Sequence, residues 1–288
     1  MTAADWKDYE ILGSGGGEKL ERWKDVYLLR PDPQAIWKSE FDLAKYPKLN
    51  ARYNRSDKGG GAWQVFRKMP DEWTVSWNEL TFSVKPMGFK HTGLFPEQAV
   101  NWRQMQDLIK GADRSISVLN LFGYTGGASV ACASAGAFVT HVDAAKGMVD
   151  RCRQNVKLSR LGDNSVRYIV DDCAKFVSRE IKRGRKYDAV IMDPPSYGRG
   201  PGGELWKLED DIFDFIELTA ALLSDNPLFF LVNSYTTGLQ PTVLDNMLSI
   251  ILGSYGGSHT AYEVGLKTSD SRGVVLPCGC SALWCDGV

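Results

Sequence analysis

Tyr187-Asp188-Ala189-Val190-Ile191-Met192-Asp193-Pro194-Pro195-Ser196-Tyr197 is the stretch that decides the fold. A near-continuous apolar run is how a strand buried on both faces of a parallel sheet reads. Two prolines end it sharply, because neither offers a ladder N–H. Asp193 therefore sits at the carboxyl end of a strand, where open α/β sheets bind ligands. A carboxylate followed by a rigid turn can offer its oxygens and the Pro194 carbonyl to a planar amine, and Tyr197 can stack on a base. The same residues also suit a strand-ending turn with no chemistry, and the flanking sequence separates the two readings.

Outward from that stretch, strand and helix patterns alternate from about residue 113. Strands are expected at Ser115–Leu121, Phe138–Val142, Val166–Val170, 187–193 and 228–233. Helices are expected at Gly126–Ala135, Lys146–Ser159 and Cys173–Lys182, and near 207–223 and 241–252. Such alternation predicts a parallel sheet with helices on both faces. At the end, Thr260–Leu266 and Val274–Trp284 flank the polar loop Ser269–Gly273, which predicts an antiparallel hairpin. Five parallel strands plus this hairpin make a seven-stranded mixed sheet, α/β and Rossmann-like, unlike a six-stranded all-parallel dinucleotide fold. Residues 1–85 read instead as a small β-rich region, with runs at Tyr27–Leu29, Ala62–Phe66, Thr74–Trp77 and Leu80–Val84. Trp63, Trp73 and Trp77 suit either a small β core or a stacking platform. Two domains are expected, 1–85 and 86–288.

The 288 residues are 43% hydrophobic and 24% charged, an ordinary globular composition. No apolar run approaches the roughly 18 residues of a membrane span, and the first residues lack the basic-then-apolar pattern of a signal peptide. Of six cysteines only Cys278 and Cys280 are close, with no second pair to complete a zinc site. The expectation is a cytoplasmic protein with reduced thiols, no metal and no membrane partner. Net charge is −1, yet residues 38–68 carry eight basic side chains against three acidic ones, and Arg179, Lys182, Arg183, Arg185 and Lys186 form a second cluster. Both suit a solvated surface, and both can track phosphates.

The first strand runs into Asn120-Leu121-Phe122-Gly123-Tyr124-Thr125-Gly126-Gly127, a glycine turn before a small-residue helix, where backbone can approach a ligand closely. It is G-x-x-G-G and not the G-x-G-x-x-G of dinucleotide sites. The second strand ends at Asp143, 20 residues after Gly123, where an acidic residue can hold ribose hydroxyls. The third ends at Asp171-Asp172-Cys173, where a carboxylate can receive an adenine amino group. Taken alone, each is also a tight turn or a helix N-cap. In order, at successive strand ends and followed by Asp-Pro-Pro, they point to one nucleoside-type cofactor.

On these residues the chain resembles the class I S-adenosylmethionine-dependent methyltransferases. Within that class it is similar to the large-subunit ribosomal RNA methyltransferase group, over about residues 85–285. A further match is Phe89-Lys90-His91-Thr92-Gly93-Leu94-Phe95-Pro96-Glu97-Gln98, which in similar proteins covers the methionine end of the cofactor. The resemblance implies S-adenosyl-L-methionine held by Lys90, Thr92, Gly93, Phe95 and Gln98. It adds Asn120, Phe122, Gly123, Tyr124, Thr125, Gly126 and Gly127 of the turn, and Asp143, Asp172, Cys173 and Asp193. It implies a catalytic turn of Asp193, Pro194, Pro195 and Tyr197, and ribosomal RNA as partner. Residues 1–85 do not show that group's separate N-terminal RNA-binding module.

Carbon-5 methylation of cytosine needs a thiolate that adds to the ring. The positions after the fourth and fifth strands read Pro195-Ser196 and Val232-Asn233-Ser234-Tyr235, without cysteine. A base nitrogen of adenine or guanine needs only positioning and an acceptor, which Asp193 and the Pro194 carbonyl supply. His91 suits a base or a packing role, His141 a structural one, and Tyr124 a lid or a turn filler. The alternatives are a small-molecule methyltransferase, a nicotinamide dehydrogenase and a non-catalytic RNA-binding protein with a retained cofactor fold.

Overall fold

The computed structural model describes residues 1–286 apart from 57–59, 89, 163, 200–204 and 237, and of Arg199 only the backbone. Lys58 of the basic segment, part of Gly59-Gly60-Gly61, and Phe89 thus lie outside the described residues. Two compact units emerge, Met1–Val100 with Gly265–Cys278, and Asn101–Val264 with the chain from Gly279 on. This division differs from the expected 1–85 and 86–288.

The first unit is β-rich, as its aromatic and β-branched runs require. It holds β1 (Thr2–Ala3), β2 (Tyr9–Gly15), β3 (Glu18–Trp23), β4 (Val26–Pro31), β5 (Ala51–Arg55), β6 (Gly61–Val65), β7 (Trp73–Trp77) and β8 (Leu80–Val84). β2 to β6 form one sheet in chain order, antiparallel except for the β4–β5 pair, and β7–β8 is a separate hairpin. Trp23, Trp77, Leu20, Leu28, Leu29 and Phe82 are buried in its core. Trp63 and Trp73 are half-buried, with indole N–H groups donating to the Met87 and Trp23 carbonyls at 2.8 and 3.1 Å. The tryptophans therefore pack. Gly265–Cys278 belongs here because hydrogen bonds hold it: β1 pairs with Gly265 and Leu266, Ser269 N–H donates to the Ile11 carbonyl, and Arg272 Nη1 to the Lys38 carbonyl.

The second unit holds α1 (Ala99–Gly111), β9 (Ser117–Leu121), α2 (Gly127–Ser134), β10 (Phe138–Asp143), α3 (Lys146–Leu158), β11 (Val166–Val170) and α4 (Cys173–Lys182). β12 (Ala189–Met192), β13 (Tyr197–Arg199), β14 (Leu205–Lys207), α5 (Leu208–Ala220), β15 (Phe229–Ser234), α6 (Pro241–Leu252), β16 (Ser258–Lys267) and β17 (Val275–Cys285) follow, of which Ala99 and Val100 of α1, the end of β16 from Gly265 and the start of β17 to Cys278 count with the first unit. The strand order is β16-β17-β15-β12-β9-β10-β11, with five parallel strands and β17 antiparallel to β15. The expected seven strands are joined by an eighth, β1, on the Gly265–Leu266 part of β16. Period-2 alternation sends Leu119, Leu121, Val190, Met192, Phe230 and Val232 to the face covered by α4, α5 and α6. α2 and α3 pack against β9, β10 and β11 from the opposite side. No helix among the described residues is long and apolar enough to cross a membrane.

Both units bury polar groups in satisfied networks. In the second, Asn101 Nδ2 donates to Asn233 Oδ1 and Ser281 Oγ at 3.0 and 2.9 Å, and Tyr262 Oη donates to Asn101 Oδ1 at 2.7 Å. This ties α1 to β15, β16 and β17. In the first, fully buried Glu21 accepts from Arg30 Nε, from Arg30 Nη2 at 2.7 Å and from Tyr9 Oη at 2.8 Å. Desolvation alone would raise the Glu21 pKa, but the Arg30 guanidinium, Lys19 and these hydrogen bonds bring it down to about 2.

A buried ion pair robbed of one partner leaves an uncompensated charge, so Glu21→Gln should destabilise the protein by roughly 3–5 kcal/mol. Because the folded-state pKa lies below the ordinary carboxylate value, Glu21 contributes stability that is complete above about pH 5 and is lost as pH falls toward 2. Urea midpoints measured from pH 6 to pH 2 should therefore converge between wild type and Glu21→Gln, and parallel curves would refute the assignment.

Candidate active site

In the second unit β9, β10 and β11 run outward one way, and β12 then returns to the other side of β9. Such a reversal opens a crevice at the carboxyl ends of the two neighbouring strands. The register pairs Met192 with Leu121, so Phe122 and Asp193 leave the sheet side by side. The Asp193 N–H donates to the Leu121 carbonyl at 3.4 Å.

The turn after β9 is strained and heavily tied. Phe122, Tyr124 and Gly126 have φ of 54°, 51° and 83°. A bulky residue at positive φ costs of order 1–3 kcal/mol and persists only where its surroundings over-determine it. Here the Phe122 N–H donates to Cys173 Sγ at 3.3 Å and the Tyr124 N–H to Asp143 Oδ2 at 2.8 Å. Gly123 N–H donates to the Val142 carbonyl, and the Thr125 carbonyl accepts from Asn155 Nδ2 at 2.8 Å. The glycines are needed by the protein itself. A β carbon on Gly123 would lie 2.3 Å from the His141 ring, on Gly126 2.2 Å from Cys152 Sγ, and on Gly127 2.6 Å from the Trp102 ring.

Asp143 is half-buried at the end of β10. One carboxylate oxygen takes the Tyr124 N–H, the other the Ala145 N–H at 2.8 Å. Burial nevertheless pushes its pKa above the ordinary carboxylate value. Asp172 caps α4, its Oδ1 accepting from the Lys175 N–H at 2.9 Å. Asn120 and Cys173, expected at the cofactor, turn inward. Asn120 Nδ2 donates to Ser129 Oγ at 2.8 Å, and Ser129 Oγ is 2.9 Å from His141 Nδ1. The Cys173 thiol sits in the core under the turn and is pushed up to about 12 by burial. His141 is structural, its pKa lowered by burial to about 4.

On the fourth strand end Asp193 is half-buried, Pro194 buried and Pro195 exposed. Tyr197 opens the short β13–β14 hairpin and is 58% exposed. The structure thus brings the glycine turn, Asp143, Asp172, Cys173, Asp193, Pro194, Pro195 and Tyr197 to one end of one sheet. In the first unit Lys90 Nζ donates to the Pro31 carbonyl at 3.4 Å, and the Lys90 carbonyl accepts from Arg30 Nη1 at 2.9 Å. Thr92 is fully buried, and its Oγ1 has no hydrogen-bond partner among the described residues. Gly93 has a φ of 92°, Phe95 lies against His91 with ring centres 5.4 Å apart, and Gln98 is buried. Burial, with nearby Arg30, Lys90 and Lys19, lowers the His91 pKa to about 4.

Sequence reasoning missed Asn155, Ser129 and Trp206. Trp206 Nε1 donates to the Pro195 carbonyl at 2.6 Å. Two short runs, Tyr197-Gly198-Arg199 and Leu205-Trp206-Lys207, around a Gly/Pro-rich stretch were the available hairpin signal. Three members of the basic cluster at the end of α4 and just beyond it are engaged locally. Arg179 pairs with Asp171, Arg183 with Glu180, and Lys186 Nζ donates to the Ala221 carbonyl.

Gly126→Ala should destabilise by roughly 1–3 kcal/mol from the left-handed conformation alone, with more from the clash on Cys152. Adding Cys152→Ala removes the Sγ contact but leaves the residue's own β carbon 2.8 Å away, so it should recover part of the clash component and none of the conformational one. Chemical denaturation of both single variants and the pair measures this coupling, and strict additivity would refute it.

A family model described as S-adenosylmethionine-dependent methyltransferase matches residues 43–213. Over 239 residues the chain is 23% identical to the ribosomal RNA large subunit methyltransferase K of Neisseria meningitidis serogroup B, covering 80% of this chain and 65% of that one. Over 189 residues it is 26% identical to the ribosomal RNA large subunit methyltransferase K/L of Syntrophotalea carbinolica, covering 65% and 26%. The chain thus spans from about a quarter to just under two-thirds of the length of these relatives. A solved S-adenosylmethionine-dependent methyltransferase from Agrobacterium tumefaciens superposes with a TM-score of 0.93 at 31% identity, covering 99% of this chain and 92% of that one. The family match takes in more than half of the chain and runs through all four strand-end turns, and the chain belongs to the S-adenosylmethionine-dependent methyltransferases.

Proposed function

We propose that this methyltransferase modifies a nitrogen of an adenine or guanine base in ribosomal RNA. The observation that carries the reading is the pairing of the glycine turn with the Asp-Pro-Pro turn on neighbouring strands at the switch point. The names of the curated relatives support RNA as substrate. So does exposed Tyr197, an aromatic face one residue beyond the Asp-Pro-Pro-Ser turn, suited to base stacking. In the first unit Val65 and Phe66 are 57% and 51% exposed and are followed by exposed Arg67 and Lys68. An aromatic beside cations suits single-stranded nucleic acid.

The residues fit S-adenosylmethionine. Each Asp143 oxygen accepts one backbone N–H, which leaves acceptor capacity for the two ribose hydroxyls. Asp172 stands in the same way for the adenine amino group. The resemblance alone assigns Lys90, Thr92, Gly93, Phe95 and Gln98 of the first unit to the methionine end of the cofactor; there the Thr92 hydroxyl is a buried polar atom without a partner among the described residues. Bound S-adenosylmethionine supplies an electrophilic methyl carbon, whose bond to sulfur breaks as the bond to nitrogen forms. The Asp193 carboxylate accepts a hydrogen bond from the acceptor N–H, orients the nitrogen lone pair and takes the proton that nitrogen must lose. Pro194 and Pro195 hold that carboxylate in place, and Tyr197 stacks on the base.

Burial holds the Cys173 and Cys280 thiols at about 12 and about 11, so neither is a thiolate at neutral pH. Methyl transfer should consequently trap no covalent complex with 5-fluorocytidine RNA. A trapped complex lost on mutating one cysteine would restore cytosine carbon-5 as target.

Tritiated-methyl transfer to total RNA from a strain lacking this chain, followed by nucleoside analysis, should label a purine. An unlabelled RNA fraction would return the protein to small-molecule substrates. Asp143→Ala should weaken S-adenosylmethionine binding by at least about tenfold in calorimetry, since hydrogen bonds to a charged acceptor are worth roughly 1.5–3 kcal/mol each. Asp193→Ala should leave binding within a few-fold and lower kcat by roughly 10²-fold. Near-normal kcat would make the Asp-Pro-Pro turn structural.

A further inference from the structure

Asp193-Pro194-Pro195 is a chain of restricted dihedrals. The residue before a proline is limited in ψ, and proline is fixed in φ. Asp193 and Pro194 both precede a proline, so the first soft dihedral of the turn is ψ of Pro195. That angle sets the direction of the Pro195 carbonyl, which accepts the Trp206 indole N–H at 2.6 Å. The next residue is tied as well. The Ser196 carbonyl accepts the Leu208 N–H at 3.1 Å, and Ser196 Oγ accepts from Thr236 Oγ1 at 2.7 Å.

The same indole reaches the other turn. Trp206, Phe122 and Phe215 form a three-ring cluster with centroids 5.6–5.7 Å apart, tilted or edge-on. Phe122 is the bulky residue at φ 54° that opens the glycine turn. Register places Trp206 opposite Gly198 on β13, so this strand pair offers the ring no bulky cross-strand competitor on that face. One side chain thus touches the carbonyl that ends the acceptor turn and the ring that begins the cofactor turn.

We propose that Trp206 is a positioning residue that locks the Asp-Pro-Pro turn to the glycine turn. Its N–H fixes the acceptor turn and its ring braces Phe122. The proposal rests on the reading that these two turns carry acceptor and cofactor. The two functions of the indole separate by substitution. Trp206→Phe keeps a ring for the cluster and removes the donor, whereas Trp206→Leu removes both.

The full chain, wild type and both variants, is to be measured in three ways. These are thermal melting, calorimetric binding of S-adenosylhomocysteine, and tritiated-methyl transfer to ribosomal RNA from a strain lacking the enzyme, with kcat and KM for the RNA separated. Trp206→Phe should melt within a few degrees of wild type, bind S-adenosylhomocysteine within twofold, and lose about tenfold in kcat with little change in KM, the size of effect a modest misplacement of a reacting group produces. Trp206→Leu should show the same loss and bind S-adenosylhomocysteine at least fivefold more weakly. Wild-type kcat in Trp206→Phe, or a loss confined to KM, would overturn the role of the N–H. Equal S-adenosylhomocysteine affinity in the two variants would overturn the brace. If wild type labels no RNA, the substrate reading fails by itself, and the binding comparison still decides the brace. If Trp206→Leu does not fold, Phe122→Leu takes its place in that comparison, with the same fivefold weakening expected and unchanged affinity overturning it.

Discussion

There is no room for a β carbon at Gly123, Gly126 or Gly127, and this constraint organises the rest of the site. Each glycine is pressed by a side chain from a different regular element: His141 from β10, Cys152 from α3 and Trp102 from α1. A turn gripped on three sides cannot relax, so its positive-φ residues stay where the sheet puts them. The strain is offset by the packed core beneath, where Cys173 receives the Phe122 N–H, and by Asn155, which holds the Thr125 carbonyl. The glycines therefore give closeness first to the protein's own scaffold. The N–H groups of Phe122, Gly123, Tyr124 and Gly126 are likewise taken up within the protein, which fixes the path of the turn.

The doubly wound half was legible because its signals were redundant. Val166–Val170 and Cys173–Lys182 match their expected bounds, the first as an apolar run, the second with Asp172 as its cap. α1 has no counterpart among the expected helices; Ala99–Gly111 carries Asn101, Gln104 and Gln106, whose amides dilute its apolar pattern. In the fold Asn101 is a buried junction and Gln106 bonds Ser134. β3 was missed because Glu18-Lys19-Leu20-Glu21-Arg22-Trp23 has no apolar alternation to read. Its Glu21 is buried only because Arg30 on β4 meets it, a tertiary pairing that no local pattern encodes. Placing the acidic residues at strand ends was sound, while their neighbours Asn120 and Cys173 proved to face inward. Sequence order shows that a residue is near a strand end, and only the pleat shows which way its side chain points.

Burial beneath the turn also governs charge. Asn120 Nδ2 donates to Ser129 Oγ, which lies 2.9 Å from His141 Nδ1. Burial lowers the His141 pKa to about 4, so the imidazole is neutral at neutral pH. An imidazolium packed against Gly123 would be a buried cation in a medium where charges are poorly screened. The carboxylate at the end of the same strand is solvated differently. Burial raises the Asp143 pKa above the ordinary carboxylate value, and the N–H groups of Ala145 and Tyr124 act against that rise. His141 and Asp143 share one face of β10, and their position along the strand separates them. His141 lies one pleat back in the dry layer under the turn, and Asp143 is half-buried at the strand end, where the Tyr124 and Ala145 N–H groups converge.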